Sequence, residues 1–466
     1  MSKIREFFAD RRFFKTVFTI AFPIVIQNGI TNLVGLLDNV MVGNVSSEAT
    51  SGVAIVNQFM FVFYLVTFGA VSAAGIFTAQ YHGKGDVENV RATFRIKTVI
   101  CAVAGVIGIV LFIFCGDFFI NTFLTETESG IDLQLTLSLG KQYLSIMLWG
   151  ILPYSLSQAY SSTLRETGRT VPPMAASSAA VAVNLFLNYK LIFGHFGAPV
   201  LGVRGAALAT VISRYVEFLI LVIWTGANRK KCGFISGAFR SLRVPPALVG
   251  KIAVMGMPLM FNEAFWSLAV TVRNQCFSTC GLDAVTAISI SSAVTNLFSV
   301  VYFSLGSAIA VMIGNLLGAG EIEEAKRTDR KLLITTFGCT AIVACMLAAV
   351  SRAFPMLYKT SDEVASLSTY MIIVFALIIP FDAYATGAYF TLRSGGKVIF
   401  TVLFDSVFMW VVIVPVMLLL SRLTDIDIRP LFAIGMGLEL LKALLGFILL
   451  RKTNWAVRLV KDQSGA

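Results

Sequence analysis

Long runs of apolar residues, separated by short charged segments, fill almost the whole chain. Each run has about 20 residues or more, the length that an α-helix needs to cross the ~30 Å hydrocarbon core of a bilayer. Read from charge to charge, the pattern predicts twelve membrane-spanning helices. They cover residues 16–40, 50–80, 98–123, 142–164, 170–190, 205–228, 252–275, 285–317, 332–351, 368–392, 398–421 and 430–450. We therefore predict an all-α membrane protein.

The composition excludes the soluble classes of protein. Of the 466 residues, 57% are apolar and 14% are charged, whereas a soluble globular domain carries roughly 25% charged residues. This inventory is too small to build a water-exposed surface. We expect the lipid bilayer as the partner and no nucleic acid, although the formal net charge is +11.

The basic residues predict the orientation. Lys and Arg are enriched in cytoplasmic loops, and 27 of the 37 lie at the N-terminus, the C-terminus and the loops that follow even-numbered helices. We expect a multi-pass protein of the cell (inner or plasma) membrane with both termini in the cytoplasm. The positive net charge then reflects topology and not an anionic partner.

The two halves of the chain resemble each other. A shift of 235 residues superposes Pro23 on Pro258 and Gly83 on Gly318, and a shift of 228 superposes residues 163–165 on the identical sequence at 391–393. Each half has six predicted helices, so both begin on the same side of the membrane and form a parallel repeat. Transporters built from such repeats bind their cargo near the midplane and rock one half against the other.

The repeat predicts the domain organisation. We expect an N-terminal lobe at 1–228 with helices 1–6, a cytoplasmic linker at 229–251, a C-terminal lobe at 252–450 with helices 7–12, and a cytoplasmic tail at 451–466. The alternative is a duplicated membrane scaffold that moves nothing. Acidic residues within the spans argue against it.

A carboxylate at the bilayer centre costs several kcal/mol, of order 3, unless it is paired or hydrated, so such groups indicate function. Glu263 and Asp382 have no base nearby in sequence and fall near the middle of helices 7 and 10. Asp38 lies toward the outer end of helix 1, where a hydrated surface acid is the alternative. Asp405, early in helix 11, is left open between a headgroup contact and a buried role. We take Asp38, Glu263 and Asp382 as candidate cation-binding residues.

Two other intramembrane acids have a simpler explanation. Glu217 stands three residues from Arg214, and Glu439 three from Lys442. Residues three apart share one face of a helix. We therefore expect each pair to form an intrahelical ion pair that serves packing.

Polar uncharged residues extend the candidate site. Asn184 and Asn188 are four residues apart, on one face of helix 5, and Thr210 lies on helix 6. With Asp38 they could line a pocket of oxygen atoms for Na⁺. Asparagines in membrane helices also serve as interhelical packing contacts, and spacing alone does not show that the four residues converge.

The repeat also aligns two prolines inside helices. Pro23 and Pro258 each lie five residues before a polar residue, Asn28 or Glu263. Proline removes a backbone hydrogen bond and kinks the helix, which is either a static packing feature or a hinge. We predict a hinge at both positions.

Other chemistry has little support in the sequence. No GxxxxGK[ST] phosphate-binding loop is present, and the two histidines, His82 and His195, lie far apart and outside the apolar runs. We expect no enzymatic activity, no metal site beyond Na⁺ at the Asp38 set, and no cofactor beyond Na⁺ or H⁺ as a coupling ion.

Several segments together resemble the multidrug and toxic compound extrusion (MATE) family. They are Ala21-Phe22-Pro23, residues 37–43 (LDNVMVG), residues 83–86 (GKGD), residues 163–168 (TLRETG), residues 184–194 and residues 205–210 (GAALAT). The likeness covers nearly the whole chain. It implies two six-helix lobes around a central cavity and Na⁺ or H⁺ antiport that exports lipophilic organic cations.

The resemblance also assigns roles to residues. Asp38, Asn184, Asn188 and Thr210 fall where the family's N-lobe cation-binding residues lie, and Glu263 and Asp382 fall at a pair of acids found in the C-lobe of one bacterial branch. Many members have an aspartate where this chain has Asn188. Arg273, which the repeat places opposite Asp38, indicates that the two lobes do not bind cations equivalently.

We therefore predict a monomeric efflux antiporter that exports small organic cations in exchange for Na⁺ or H⁺ by alternating access. The alternative on the same fold is a flippase for a lipid-linked oligosaccharide or a peptidoglycan precursor. Its anionic cargo would call for several basic residues in the cavity, and the spans contain Arg214, Arg273 and Lys442.

Overall fold

The structure is a computed structural model that describes residues 11–123, 132–241, 243–358, 360–424 and 426–460. Within these ranges the secondary structure is helical, with no strand. Twelve long helices follow one another in the order that the apolar runs predict. They are α1 (Arg11–Gly43), α2 (Ser47–Lys84), α3 (Val87–Phe123), α4 (Leu133–Glu166), α5 (Val171–Phe193), α6 (Val203–Ala227), α7 (Pro246–Ser278), α8 (Leu282–Ala319), α9 (Ile322–Val350), α10 (Asp362–Ser394), α11 (Val398–Leu423) and α12 (Ile428–Lys452).

Eleven of these helices, counted over the described residues, are long and apolar enough to cross a membrane. The remaining helix, α4, has 34 residues and is more polar, with several buried serines and threonines that include Ser155, Ser157 and Thr163. Ser155 and Ser157 donate to carbonyl groups four residues earlier in the helix. The prediction of an all-α membrane protein with twelve spans is confirmed.

Helix α11 is irregular. Short α-helical segments at its two ends enclose π-helical turns at Leu403–Val407 and Met409–Ile413. Single π-helical turns are rare and often occur at functional sites. Asp405, the one acid in α11, lies within the first of these turns.

The helices form two compact units. Unit 2 comprises residues 26–78 and 87–256, and unit 1 comprises residues 1–25, 79–86 and 257–466. The chain changes unit four times: after Val25, after Thr78, after Asp86 and before Met257.

Each unit has its own apolar core. In unit 2, small and branched side chains of α2, α4 and α6, such as Ala49, Ile151 and Ala207, are fully buried together. In unit 1, α7, α10, α11 and α12 enclose a cluster that includes Met371 and Met417. The polar residues described below lie among these packed helices.

The segment between α6 and α7 is part of unit 2 and packs against α3. Arg95 of α3 donates to the carbonyl oxygens of Ala238 (2.6 Å) and Gly237 (2.9 Å). Phe94 of α3 packs its ring against Phe234, with centroids 5.2 Å apart. The basic segment therefore covers one end of α3 and is not a free tether.

Within unit 1 the last turns of α2 lie against α8 at very close range. A Cβ atom on Gly83 would clash with the backbone carbonyl of Asn315, and one on Gly318 would clash with that of Gln80. The two contacts are equivalent under the 235-residue repeat. Glycine is required at both places because two backbones meet there.

Candidate functional site

Four residues predicted from the sequence converge in unit 2. Asn188 Nδ2 donates to Asp38 Oδ1 at 2.5 Å and to Asn184 Oδ1 at 3.2 Å, and Asn184 Nδ2 donates to Thr210 Oγ1 at 3.3 Å. The chain of hydrogen bonds joins α1, α5 and α6. Asn184 and Asn188 are 4% and 1% exposed. The structure therefore places all four side chains in one polar cluster, although their sequence spacing left this open.

This cluster has an unsatisfied acceptor. The side-chain oxygen of Asn188, Oδ1, is buried and has no hydrogen-bond partner among the described residues. A buried polar atom without a partner costs about 1–3 kcal/mol. Asn188 Oδ1 and the carboxylate of Asp38 are acceptor atoms on adjacent side chains, the kind of group that could receive a proton or ligate a metal cation.

A second polar network lies beside the first in unit 2. Ser177 donates to Glu217 Oε1 at 2.6 Å and accepts from Gln27 Nε2 at 2.9 Å. Arg214 pairs with the other oxygen of Glu217 at 3.4 Å, which confirms the predicted intrahelical pair. Arg214 also interacts electrostatically with Asp38, and it therefore connects the two networks.

The guanidinium of Arg214 rests on aromatic rings. It lies 5.0 Å from the centroid of Tyr154 and 6.0 Å from that of Tyr64. The two rings are 4.2 Å apart. Cation–π contacts of this kind stabilise a desolvated charge, here the guanidinium of Arg214 itself.

In unit 1, Glu263 accepts a hydrogen bond from the hydroxyl of Tyr389 at 3.1 Å. Arg393 donates to the same hydroxyl at 3.4 Å and lies 5.7 Å from the ring centroid. The predicted companion of Glu263, Asp382, makes no hydrogen bond to any residue within the described ranges. It interacts electrostatically with Glu439 and Arg273. Both acids also interact electrostatically with Lys442, so they belong to one charged region, and no hydrogen bond joins them within the described residues.

The expected ion pair between Glu439 and Lys442 does not form. Lys442 Nζ instead binds Asp405 Oδ1 at 2.5 Å, and Glu439 pairs with Arg273 at 3.2 Å. The spacing along the helix gave the wrong partners, because an acid of α11, Asp405, binds Lys442 and a base of α7, Arg273, binds Glu439. Both ion pairs join two helices, and a pair within α12 would leave Asp405 and Arg273 without their partners.

Asp405 is the residue that sequence reasoning left undecided. Its side chain is 14% exposed, Asn262 Nδ2 donates to its Oδ2 at 2.9 Å, and Lys442 holds its other oxygen. Ser406, next in the chain, donates to the backbone and side-chain oxygens of Asn262 at 2.7 Å. Asp405 is therefore part of the buried network and not a headgroup contact.

The internal repeat contained a signal for this network. Under the shifts of 235 and 228 residues, Gln27 corresponds to Asn262, Ser177 to Asp405 and Arg214 to Lys442. The hydrogen bond from Gln27 to Ser177 is thus repeated by that from Asn262 to Asp405. The acid that neutralises the base differs: unit 2 uses Glu217 of the same helix, and unit 1 uses Asp405 of the neighbouring helix.

The aligned prolines lie inside their helices. Pro23 interrupts α1 and Pro258 interrupts α7, and the chain changes compact unit directly after Val25 and directly before Met257. Helices α4 and α10 also contain internal prolines, Pro153 and Pro380. The hinges at Pro23 and Pro258 stay a prediction. The location of both prolines next to a boundary between the two units is consistent with that prediction.

A transition-metal centre has no basis in the described part of the chain, where no three His, Cys, Asp or Glu side chains lie close enough to share a metal ion. The polar groups that do converge are the Asp38 cluster and the Gln27–Ser177–Glu217–Arg214 network in unit 2, and a set of charge pairs in unit 1. Such groups at membrane depth are typical of ion and substrate pathways. Fold and site together define a polytopic membrane transporter.

Comparison with known proteins gives the family. The MatE family model matches residues 23–190 and again residues 258–419, one match in each half of the repeat. The chain belongs to the MatE family of membrane transporters, as its resemblance to the MATE family predicted.

Individual relatives agree. A probable multidrug resistance protein NorM of Thermotoga maritima is 27% identical over 408 residues, covering 86% of this chain and 84% of that protein. A multidrug resistance protein MdtK of Cronobacter sakazakii is 24% identical over 80% of this chain and 79% of its own. The fold is similar to that of the Vibrio cholerae MATE transporter VcmN, with a TM-score of 0.85, 16% identity and coverage of 96% of this chain and 98% of that one.

Proposed function

We propose that this protein is a secondary active multidrug efflux antiporter, which exports organic cations in exchange for Na⁺ or H⁺ by alternating access. It acts as a monomer in the cell membrane with both termini in the cytoplasm, and it needs no cofactor beyond the coupling ion. Membership of the MatE family and the multidrug resistance relatives support the general activity. The buried polar clusters support the exchange mechanism.

The observation that carries the proposal is the acceptor-rich cluster around Asp38. Asn188 Oδ1 has no hydrogen-bond partner there, and Asp38 accepts from Asn188 with one oxygen. A proton on Asp38 would neutralise the acid, and Na⁺ would be ligated by oxygens of Asp38, Asn188 and Thr210. Either cation satisfies atoms that otherwise stay uncompensated, so its binding stabilises this arrangement.

Coupling requires that the ion and the cargo favour different states of the same protein. The coupling ion and a cationic cargo meet this requirement if both bind the same carboxylate, because one carboxylate cannot bind both at once. Glu263 and Asp382 supply acids in unit 1, and the hydroxyl of Tyr389 holds Glu263 in place. The cargo cation competes with the coupling ion for these acids or for that of Asp38.

The flippase alternative needs basic groups that can receive an anionic cargo. The three bases that the sequence places within the spans each contact an acid: Arg214 with Glu217, Arg273 with Glu439, and Lys442 with Asp405. An anionic headgroup would have to displace a buried carboxylate from each of them. The charge pattern therefore favours a cationic cargo.

The test is transport of a fluorescent lipophilic cation into everted vesicles, whose lumen corresponds to the cell exterior, under an imposed Na⁺ or pH gradient; this uptake is the efflux activity. Asp38→Asn, Glu263→Gln and Asp382→Asn are compared with the wild type. Asp117→Asn is the matched control, because Asp117 is a 67% exposed acid in a surface pair with Lys141. We expect the Asp38 variant, and at least one of the other two, to lose most of the gradient-driven efflux, and the Asp117 variant to retain it.

Two results would overturn the proposal. If all three buried variants pump as the wild type does, these acids do not couple ion to cargo. If no cation moves in the wild type and a lipid pyrophosphate binds instead, the flippase is the better description.

A further inference from the structure

An elongated groove in unit 1 runs along the first half of α1. It has a volume of about 920 Å³, and α8 and α9 form its other walls. The groove is separate from the charged clusters described above. It takes no part in the proposed antiport.

One face of α1 lines the groove from end to end. Arg11, Lys15, Phe18, Phe22 and Val25 all contribute to the lining, and their spacing of four, three, four and three residues places them on a single stripe. The stripe begins with two cations and continues with apolar residues only. Phe18 and Phe22 stack with centroids 4.6 Å apart and remain 62% and 45% exposed.

The wall from α9 has the same order. Thr335 and Cys339 line the groove one turn apart, and Lys331 lies one turn earlier on that face. Lys331 Nζ is 5.9 Å from the ring centroid of Phe13, so it belongs to the end of the groove where α1 begins. Both walls therefore start with basic residues and carry no charged residue further along the groove.

Dimensions and charge indicate the occupant. From Arg11 to Val25 a helix rises about 21 Å, close to one leaflet of a bilayer, which has half of a ~30 Å hydrocarbon core plus its headgroup layer. Arg11, Arg12 and Lys15 line the charged end, and the described lining residues include no carboxylate. A soluble anion would use only that end, whereas the apolar length also accommodates an acyl chain.

We propose that this groove binds one phospholipid with a net negative headgroup, with its phosphate at Arg11, Arg12 and Lys15 and an acyl chain along Phe18, Phe22 and Cys339. Basic residues near a membrane surface each contribute about 1 kcal/mol to binding of anionic lipid. The site tethers the first half of α1 to the leaflet in which both walls begin.

The chain supplies its own reporter. Cys339 lines the groove, whereas Cys345 lies on the same helix outside it, and both side chains are exposed. The full-length protein is treated with N-ethylmaleimide in detergent micelles. The rate of alkylation at each cysteine is then measured by peptide mass spectrometry. The micelles contain phosphatidylglycerol, phosphatidylcholine, inorganic phosphate or no addition.

We expect phosphatidylglycerol to slow alkylation of Cys339 at least fivefold, with no change at Cys345. Phosphatidylcholine and inorganic phosphate should leave both cysteines unaffected. The variant with Arg11, Arg12 and Lys15 changed to Gln should lose the protection and bind phosphatidylglycerol about 100-fold more weakly in native mass spectrometry. The matched control changes Arg229, Lys230 and Lys231 to Gln, three exposed basic residues outside the groove, and should keep the protection.

The inference is overturned by any of four outcomes. Equal protection by phosphatidylcholine would mean that the groove does not select charge. Protection by inorganic phosphate alone would mean an anion site without an acyl chain. Protection of Cys339 before any lipid is added would mean that the groove is covered without the added lipid, and equal loss in the control variant would mean a nonspecific charge effect.

Discussion

Lys442 and Asp405 form an ion pair across two helices of unit 1, with Nζ and Oδ1 2.5 Å apart. The equivalent base in the other half of the repeat, Arg214, pairs with Glu217 on its own helix. Each half thus neutralises an equivalent membrane-buried base, and each does so with an acid from a different position. The two bases occupy equivalent positions in the repeat, whereas the acid that pairs with the base lies on the same helix in unit 2 and on the neighbouring helix in unit 1.

The first prediction concerns that pair. Lys442→Met removes the base and leaves Asp405 buried, with Asn262 as its remaining side-chain donor among the described residues, a change that typically costs about 3–5 kcal/mol. We expect a markedly lower Tm in detergent. Lys326→Met is the control, because Lys326 pairs with Glu323 at the surface and exposed pairs contribute about 0–1 kcal/mol.

A second change separates loss of charge from loss of packing. The double variant Lys442→Met with Asp405→Ser installs the serine that the other half has at Ser177 and removes the uncompensated acid. We expect it to recover most of the lost Tm. Equal melting of the single and double variants would show that the charge of Asp405 is not what destabilises the single variant.

The crossing of α2 and α8 gives a second prediction. Gly83→Ala places a methyl group against the carbonyl of Asn315, and Gly318→Ala places one against that of Gln80. Because backbone cannot move aside as a flexible side chain can, we expect either variant to lower the Tm strongly or to prevent accumulation in the membrane. Gly226→Ala serves as the comparison, since a Cβ there meets open space; normal melting of the Gly83 and Gly318 variants would refute the close approach.

A third prediction addresses Asn188. In Asn188→Asp the donor to Asp38 becomes a second carboxylate, so the two acids repel unless a cation or a proton lies between them. Ligands that bind only the folded state raise its stability, so the Tm of this variant should rise with Na⁺ concentration, or with falling pH, more than that of the wild type. Asn44→Asp, at an exposed position at the end of α1, should show no such added dependence.

A fourth prediction concerns the prolines inside α1 and α7. Pro23→Ala and Pro258→Ala restore a backbone hydrogen bond and straighten the helix, so we expect slower efflux with unchanged binding of the cargo. Pro173→Ala is the matched control, because Pro173 lies in the first turns of α5, where proline does not break the hydrogen-bond ladder. Wild-type efflux from both hinge variants would show that the kinks are static.

Much of the candidate site was predictable because its residues are exceptions to their surroundings. An Asp, an Asn pair or a Glu within an apolar run of 20 residues stands out without any structure, and Asp38, Asn184, Asn188 and Thr210 were all named this way. Their hydrogen-bonded order was not predictable. Nothing in the spacing says that Asn188 donates to both Asp38 and Asn184 and keeps its own oxygen unpaired.

The choice of ion-pair partner shows the same division. Arg214 and Glu217 pair as their spacing predicts, whereas Lys442 and Glu439, with the same spacing, do not. The two cases are indistinguishable from local sequence. Lys442 pairs with Asp405 instead of Glu439, and Asp405 lies 37 residues before Lys442 in the chain.

The sequence alone determined the class of protein, the twelve spans and the duplication, because burial in lipid requires long apolar helices and a repeat is visible residue by residue. Which polar groups meet was decided only by the tertiary structure. Inside a membrane a charged group pairs with an opposite charge on any of the helices packed around it. Which charge is near enough depends on distances between helices, and the spacing of residues along the chain does not give those distances.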